Sequence, residues 1–67
     1  MNIRTDFTMP EVEYFRKTCN FTRQQRQIFD LRVSDHGIIE ICDKIHISEA
    51  TAGREIRKIK NKILRVL

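Results

Sequence analysis

Positively charged side chains recur at helical spacing near the end of the sequence. At about 100° per residue, a helix there would place Ala50, Arg54, Arg57 and Asn61 on one face. A guanidinium group can pair with both acceptors on the major-groove edge of guanine, and it can also bind phosphate oxygens. This face therefore predicts contact with a negatively charged ligand.

The overall charge agrees with that prediction. The 67 residues carry a formal net charge of +4 and have a pI of about 9.5. From Ser48 onward there are six basic residues and only two acidic ones, so the excess lies at this end of the chain. Such a balance favours an anionic partner such as nucleic acid.

An amphipathic helix over residues 49–66 can position these side chains. Ser48 is a good N-cap, because its hydroxyl can accept a hydrogen bond from a backbone N–H of the first turn. The face opposite the charges is apolar at helical spacing, which predicts burial. Its residues are Ala52, Ile56, Ile59 and Ile63.

Two capping signals predict helices earlier in the chain. Thr8 with Glu11 has the form of a capping box and predicts a helix over 9–19, after an N-terminal extension of residues 1–8. Thr22 with Gln25 repeats the pattern and predicts a helix over 22–33. The first helix should bury Met9, Val12, Phe15 and Cys19 and expose Tyr14. The second should bury Ile28 and Leu31, with Phe29 at the flank.

A short third helix is predicted over 38–45. Its apolar positions are Ile38, Ile41, Cys42 and Ile45, and at about two turns it depends on tertiary packing. The whole chain, 1–67, is therefore expected to be one all-α domain of four helices.

The cysteines and the histidines suggest no further chemistry. Cys19 and Cys42 lie on apolar stripes and are expected to be reduced core thiols, with a disulfide as the alternative. Cys42 and His46 lie four apart, but no second pair completes a tetrahedral zinc site. We expect no metal, no cofactor and no enzymatic activity, because the residues form no nucleophile–base set.

No signal peptide or membrane-spanning stretch is recognisable, so we expect a cytoplasmic protein that does not contact a membrane. A short helix, a tight turn and a capped basic helix follow one another from residue 38. This order is typical of a helix-turn-helix, whose second helix enters the major groove of DNA.

The residues also resemble a known superfamily, the helix-turn-helix of sigma-factor region four and of LuxR-type domains. Glu40-Ile41-Cys42 stands where these families have E-I-A, and the segment 45–51, I-H-I-S-E-A-T, is similar to L-x-I-S-E-x-T. Further upstream, residues 21–32 look like their L-T-x-x-E-R-E-V-L/F-x-L-R opening. The chain differs at Ala52-Gly53, where the LuxR-type pattern has Val-Lys, and at Glu55, where a basic residue or His is common.

The resemblance covers residues 21–67 and implies a winged-helix-like fold without a wing. It also implies a DNA-binding transcriptional regulator that places the helix beginning at Ser48 in the major groove of double-stranded DNA. The residues that we expect to form the DNA-binding site are Ser48, Glu49, Ala50, Thr51, Gly53, Arg54, Arg57, Lys58 and Asn61.

The sequence is also compatible with two other kinds of partner. The chain could instead be an interaction module that docks on RNA polymerase or another regulator, in the manner of sigma region four, with weak or no DNA binding. A second copy of the chain is another candidate partner, because one such helix buries little surface. Leu64, Val66 and Leu67 could form that interface, or they could pack back onto the first helix.

Overall fold

Four α-helices contain most of the residues that the computed structural model describes, which are residues 2–3 and 6–67. They are α1 (Met9–Thr18), α2 (Arg23–Val33), α3 (Ile38–Ile45) and α4 (Glu49–Val66). No strand occurs within those residues. For the described part of the chain, the prediction of an all-α fold with four helices is confirmed.

Local hydrogen bonds begin the helices where the sequence carries capping residues. The Thr22 hydroxyl accepts from the Gln25 backbone N–H at 3.1 Å, and the Gln25 side-chain oxygen accepts from the Thr22 backbone N–H at 3.1 Å. At α1 the Glu11 carboxylate accepts from the backbone N–H of Thr8 at 2.9 Å. These bonds satisfy backbone donors that a helix leaves without an intrahelical partner.

Three polar residues in left-handed backbone conformations lie in the connections. Asn20 (φ 53°) precedes α2, Asp35 (φ 71°) follows it, and His46 (φ 58°) ends α3. Asn and Asp tolerate this region better than most residues do. The left-handed conformation of His46 changes the direction of the chain, and only residues 46–48 lie between α3 and α4.

The hydrophobic core forms around α4, which packs against each of the other three helices. The Cα radius of gyration is 11.0 Å, close to the ~11 Å expected for a folded chain of this length. Side chains from all four helices and from the N-terminal segment meet in this core. Its buried members are Ile3, Val12, Phe15, Cys19, Ile28, Phe29, Ile41, Ile59 and Ile63.

Several details of the predicted core are wrong. Met9 was expected on the buried side of α1, but it is 61% exposed, because it is the first residue of the helix and burial begins one turn later at Val12. Phe29 was expected at the flank, but it is fully buried, since α2 packs against both α3 and α4 and the Phe21 ring lies 5.0 Å away. Cys42 is only half-buried on the short α3.

Residues before α1 also join the core. Ile3 is buried, and the Phe7 ring packs edge-on against Phe15 at a centroid distance of 4.8 Å. Residues 1, 4 and 5 of the predicted extension lie outside the described residues. The described part of this segment therefore packs against α1.

The C-terminal end of α4 is partly packed against the core and partly exposed. Val66 packs against the core and, with Leu67, lines an apolar groove with Pro10 and Tyr14 of α1. Leu64 and Leu67 are 58% and 69% exposed. The interpretation that this end packs back onto the first helix is therefore correct for Val66, while the two leucines present apolar surface.

Both cysteines are free thiols. In the part of the chain that the structure describes, no helix combines the length and the apolar character needed to cross a bilayer.

Candidate nucleic-acid interface

One side of α4 is fixed in the core and the other is open to solvent. Ala52, Ile59 and Ile63 are fully buried. The residues predicted for the opposite side, Ala50, Arg54, Arg57 and Asn61, are all exposed. These four residues define what we call the α4 face. Since the helix is clamped along its apolar side, their positions relative to one another are set by helical geometry.

A chain of hydrogen bonds runs along the start of α4. The Ser48 hydroxyl accepts from the Thr51 backbone N–H at 3.1 Å, which makes Ser48 the N-cap as predicted. The same hydroxyl donates to Thr51 Oγ1 at 3.0 Å, and Arg54 Nη2 donates to that oxygen at 3.3 Å. The guanidinium of Arg54 is therefore folded back over the first turn. Its bond to Thr51 is long and exposed, so a ligand with a charged acceptor could replace it at low cost.

Arg57 differs from Arg54 in its contacts with the described residues. Neither Arg57 nor Asn61 makes a hydrogen bond or an ion pair with another described residue, and both are exposed. Five N–H donors of Arg57 and the side-chain amide of Asn61 are thus available to a ligand. Arg57 is the strongest candidate on the α4 face for direct contact.

The other five predicted site residues differ in their exposure. Ser48, Glu49 and Lys58 are exposed, and Thr51 and Gly53 are half-buried. A Cβ atom built on Gly53 would meet no atom within 4 Å, so no close approach inside the chain requires glycine there. All nine predicted residues therefore belong to α4 or to its N-cap.

Glu55 does not contribute its charge to the α4 face. Its side chain is 18% exposed and turns towards α2, where Glu55 Oε2 accepts from Gln25 Nε2 at 3.0 Å. Lys58 Nζ lies 3.8 Å from the other carboxylate oxygen. The acidic residue that distinguishes this helix from the resembled families is therefore part of the contact between α2 and α4.

Sequence reasoning missed the polar cluster in which Glu55 takes part. Gln25 is 3% exposed, and its side-chain oxygen accepts from Lys62 Nζ at 2.6 Å. Lys62 Nζ also donates to the Asn20 carbonyl at 3.1 Å. The partners are 30 to 42 residues apart in the chain, so no local periodicity could have paired them.

The Cys19 thiol is buried in the core. Burial raises the pKa of the Cys19 thiol, although the nearby Lys62 ammonium acts in the opposite direction. A raised pKa keeps the thiol protonated and poorly nucleophilic at neutral pH. Within residues 2–3 and 6–67, no group of three or more His, Cys, Asp or Glu side chains is placed to hold a metal ion.

Comparison with known proteins gives no independent assignment. No protein-family model, no curated protein and no solved structure matches the chain.

Proposed function

We propose that this protein is a DNA-binding transcriptional regulator that places α4 in the major groove of double-stranded DNA. The observation that carries the proposal is the α4 face, an exposed basic surface on a helix whose opposite side is locked in the core. The major groove is about 12 Å wide and admits one α-helix. A rigidly held helix can present several side chains to base edges without first being ordered.

In this proposal α3, residues 46–48 and α4 form the helix-turn-helix of a winged-helix-like domain without a wing. A connection of three residues is typical of the motif. The left-handed conformation at His46 supports this assignment, because it allows α3 to end and α4 to begin within so short a connection. A cytoplasmic location belongs to the same proposal.

The residues of the site have different roles in the proposed complex. Arg57 and Arg54 contact base edges, where a bidentate arginine–guanine pair contributes about 1–3 kcal/mol of discrimination. Thr51, Ser48 and the first-turn backbone N–H groups lie at the positive end of the helix dipole and contact phosphate. Lys58 and Asn61 lie farther along the helix, at the edge of the groove.

A second candidate function has its own supporting observation. Tyr14, Leu64 and Leu67 are exposed, and Tyr14 and Leu67 line the apolar groove between α1 and the end of α4. Exposed apolar surface of this kind favours contact with a protein. RNA polymerase, another regulator or a second copy of the chain would be the partner in that case, with weak or no DNA binding.

Selection of bound duplexes from a random pool tests the main proposal. We expect enrichment of a short common sequence, and two half-sites about 10 bp apart would show that the chain binds as a dimer. A pool that remains random after repeated rounds, together with copurification of the chain with RNA polymerase, would refute DNA reading and support the interaction module.

A further inference from the structure

A polar pocket lies between α2 and α4 and shares Asn61 with the α4 face. It has a volume of about 240 Å³ and is lined by Gln25, Lys58, Asn61, Lys62 and Arg65. The four residues from α4 are spaced i, i+3, i+4 and i+7, so they share one side of that helix. Their N–H donors therefore border one small volume from several directions.

Gln25 fixes the inner wall of this pocket. Its side-chain oxygen accepts from the Thr22 backbone N–H and from Lys62 Nζ, and its side-chain nitrogen donates to Glu55. The amide is thus held in one orientation, with the Lys62 ammonium against it. Lys62 uses two of its three N–H donors on neutral oxygens, so its charge is not neutralised by these bonds.

The charges at the pocket do not cancel. Lys58, Lys62 and Arg65 contribute three positive charges, and Glu55 is the acidic side chain in contact with the cluster. Arg65 is exposed and has no ion-pair partner among the described residues. Three cations against one carboxylate leave an excess of two positive charges around a pocket that also holds the Asn61 amide.

We propose that this pocket binds a phosphate group. Several donors around one small volume suit a phosphate group, whose oxygens can each accept hydrogen bonds. The source of this phosphate is the DNA backbone at the edge of the groove. This part of the inference rests on the proposed function. Arg65 lies eleven residues beyond Arg54, about 16 Å along the helix axis. That distance reaches past a groove about 12 Å wide to its flanking strand.

Titration with inorganic phosphate, followed by ¹H–¹⁵N NMR of the Asn61 and Gln25 side-chain amides, tests the pocket without DNA. We expect saturable shifts that sodium chloride at equal ionic strength does not produce. Arg65→Gln should weaken phosphate binding roughly threefold, and Glu55→Gln should strengthen it by a similar factor because it removes the carboxylate. Lys17→Gln on α1 is the control and should leave binding unchanged. Shifts that match those in chloride, or that Arg65→Gln leaves unaltered, would overturn the proposal.

Duplex binding at several salt concentrations then identifies the source of the phosphate. If the DNA backbone occupies the pocket, Arg65→Gln should reduce the slope of log K against log salt by about 1, and Lys17→Gln should not. Saturable phosphate binding with an unchanged slope would assign the pocket to a free phosphate-bearing molecule. Phosphate binding without any duplex binding would support the pocket and refute the proposed function. Duplex binding with no phosphate binding and no change of slope in Arg65→Gln would support the proposed function and overturn the pocket.

Discussion

Gly53 lies in the second turn of α4, the helix proposed to enter the groove. An interior glycine costs about 1 kcal/mol relative to alanine, because the unfolded chain has more conformations to lose. Such a cost is sometimes explained by close packing, but a Cβ atom at Gly53 would meet no atom within 4 Å. The folded chain therefore gains no packing benefit from glycine at this position.

We expect Gly53→Ala to raise the free energy of unfolding by about 1 kcal/mol. Urea denaturation measures the change. Gly37→Ala is the matched control, because Gly37 is the N-cap of α3 and alanine is a poorer N-cap than glycine. A Gly53→Ala protein no more stable than wild type would contradict this account of the helix interior.

At the scale of single elements, α3 is the shortest helix and has a polar cluster at its start. Glu40 Oε1 accepts from the Gly37 backbone N–H at 3.3 Å, and Glu40 Oε2 lies 3.2 Å from His36 Nδ1. The bond with His36 is the main cause of a lowered pKa at Glu40, and the bond from Gly37 adds to it. The ionised carboxylate is therefore the form that stabilises this end of α3.

This lowered pKa predicts a loss of stability in acid. A carboxyl group whose pKa is lower in the folded state contributes stability above its unfolded-state pKa and loses it as pH falls through the folded-state value. Glu40→Gln keeps an oxygen acceptor for Gly37 but cannot ionise. The stability advantage of wild type over Glu40→Gln should therefore shrink as pH falls from about 5.5 to about 2.5, as thermal unfolding can measure. A difference that stays constant over this range would count against the role of the carboxylate.

The helices could be predicted from the sequence because their capping signals are local. Thr22 and Ser48 cap helices through backbone N–H groups only three residues away, so the sequence pattern alone contains both partners. Met9 shows the limit of such reasoning. Helical periodicity gives the side of α1 to which Met9 belongs, but not whether another element covers the first turn.

The polar cluster at Gln25 could not be predicted for a related reason. Gln25 meets Glu55 and Lys62 across 30 and 37 residues of sequence.

The sequence did predict the α4 face correctly as exposed, because its four members lie opposite an uninterrupted apolar stripe. Whether that face binds DNA stays a prediction.

At the scale of the whole molecule, a chain of 67 residues has a small free energy of unfolding, about 3 to 10 kcal/mol at typical values per residue. The buried Ile3 and the Phe7–Phe15 contact therefore matter, although they precede the first helix. This segment was missed because it has no helical period to reveal a buried side.

We expect Ile3→Ala to lower the free energy of unfolding by about 2 to 4 kcal/mol, since it removes a fully packed aliphatic side chain from the core. Met9→Ala is the control and should change it by less than about 0.5 kcal/mol, because Met9 is largely exposed. Urea denaturation of both variants gives the comparison. Equal effects of the two substitutions would show that the N-terminal segment does not belong to the core.

We propose that the α4 face of the folded molecule reads DNA. The most direct test of this function is the affinity of the Arg54→Ala/Arg57→Ala double variant for a selected duplex, measured by fluorescence anisotropy. The control is Lys17→Ala/Lys60→Ala, which removes the same charge from α1 and from a half-buried position on α4 outside the face. We predict that the arginine double variant binds at least about tenfold more weakly than the control, because it loses base contacts as well as charge. Equal affinities of the two double variants would contradict the claim.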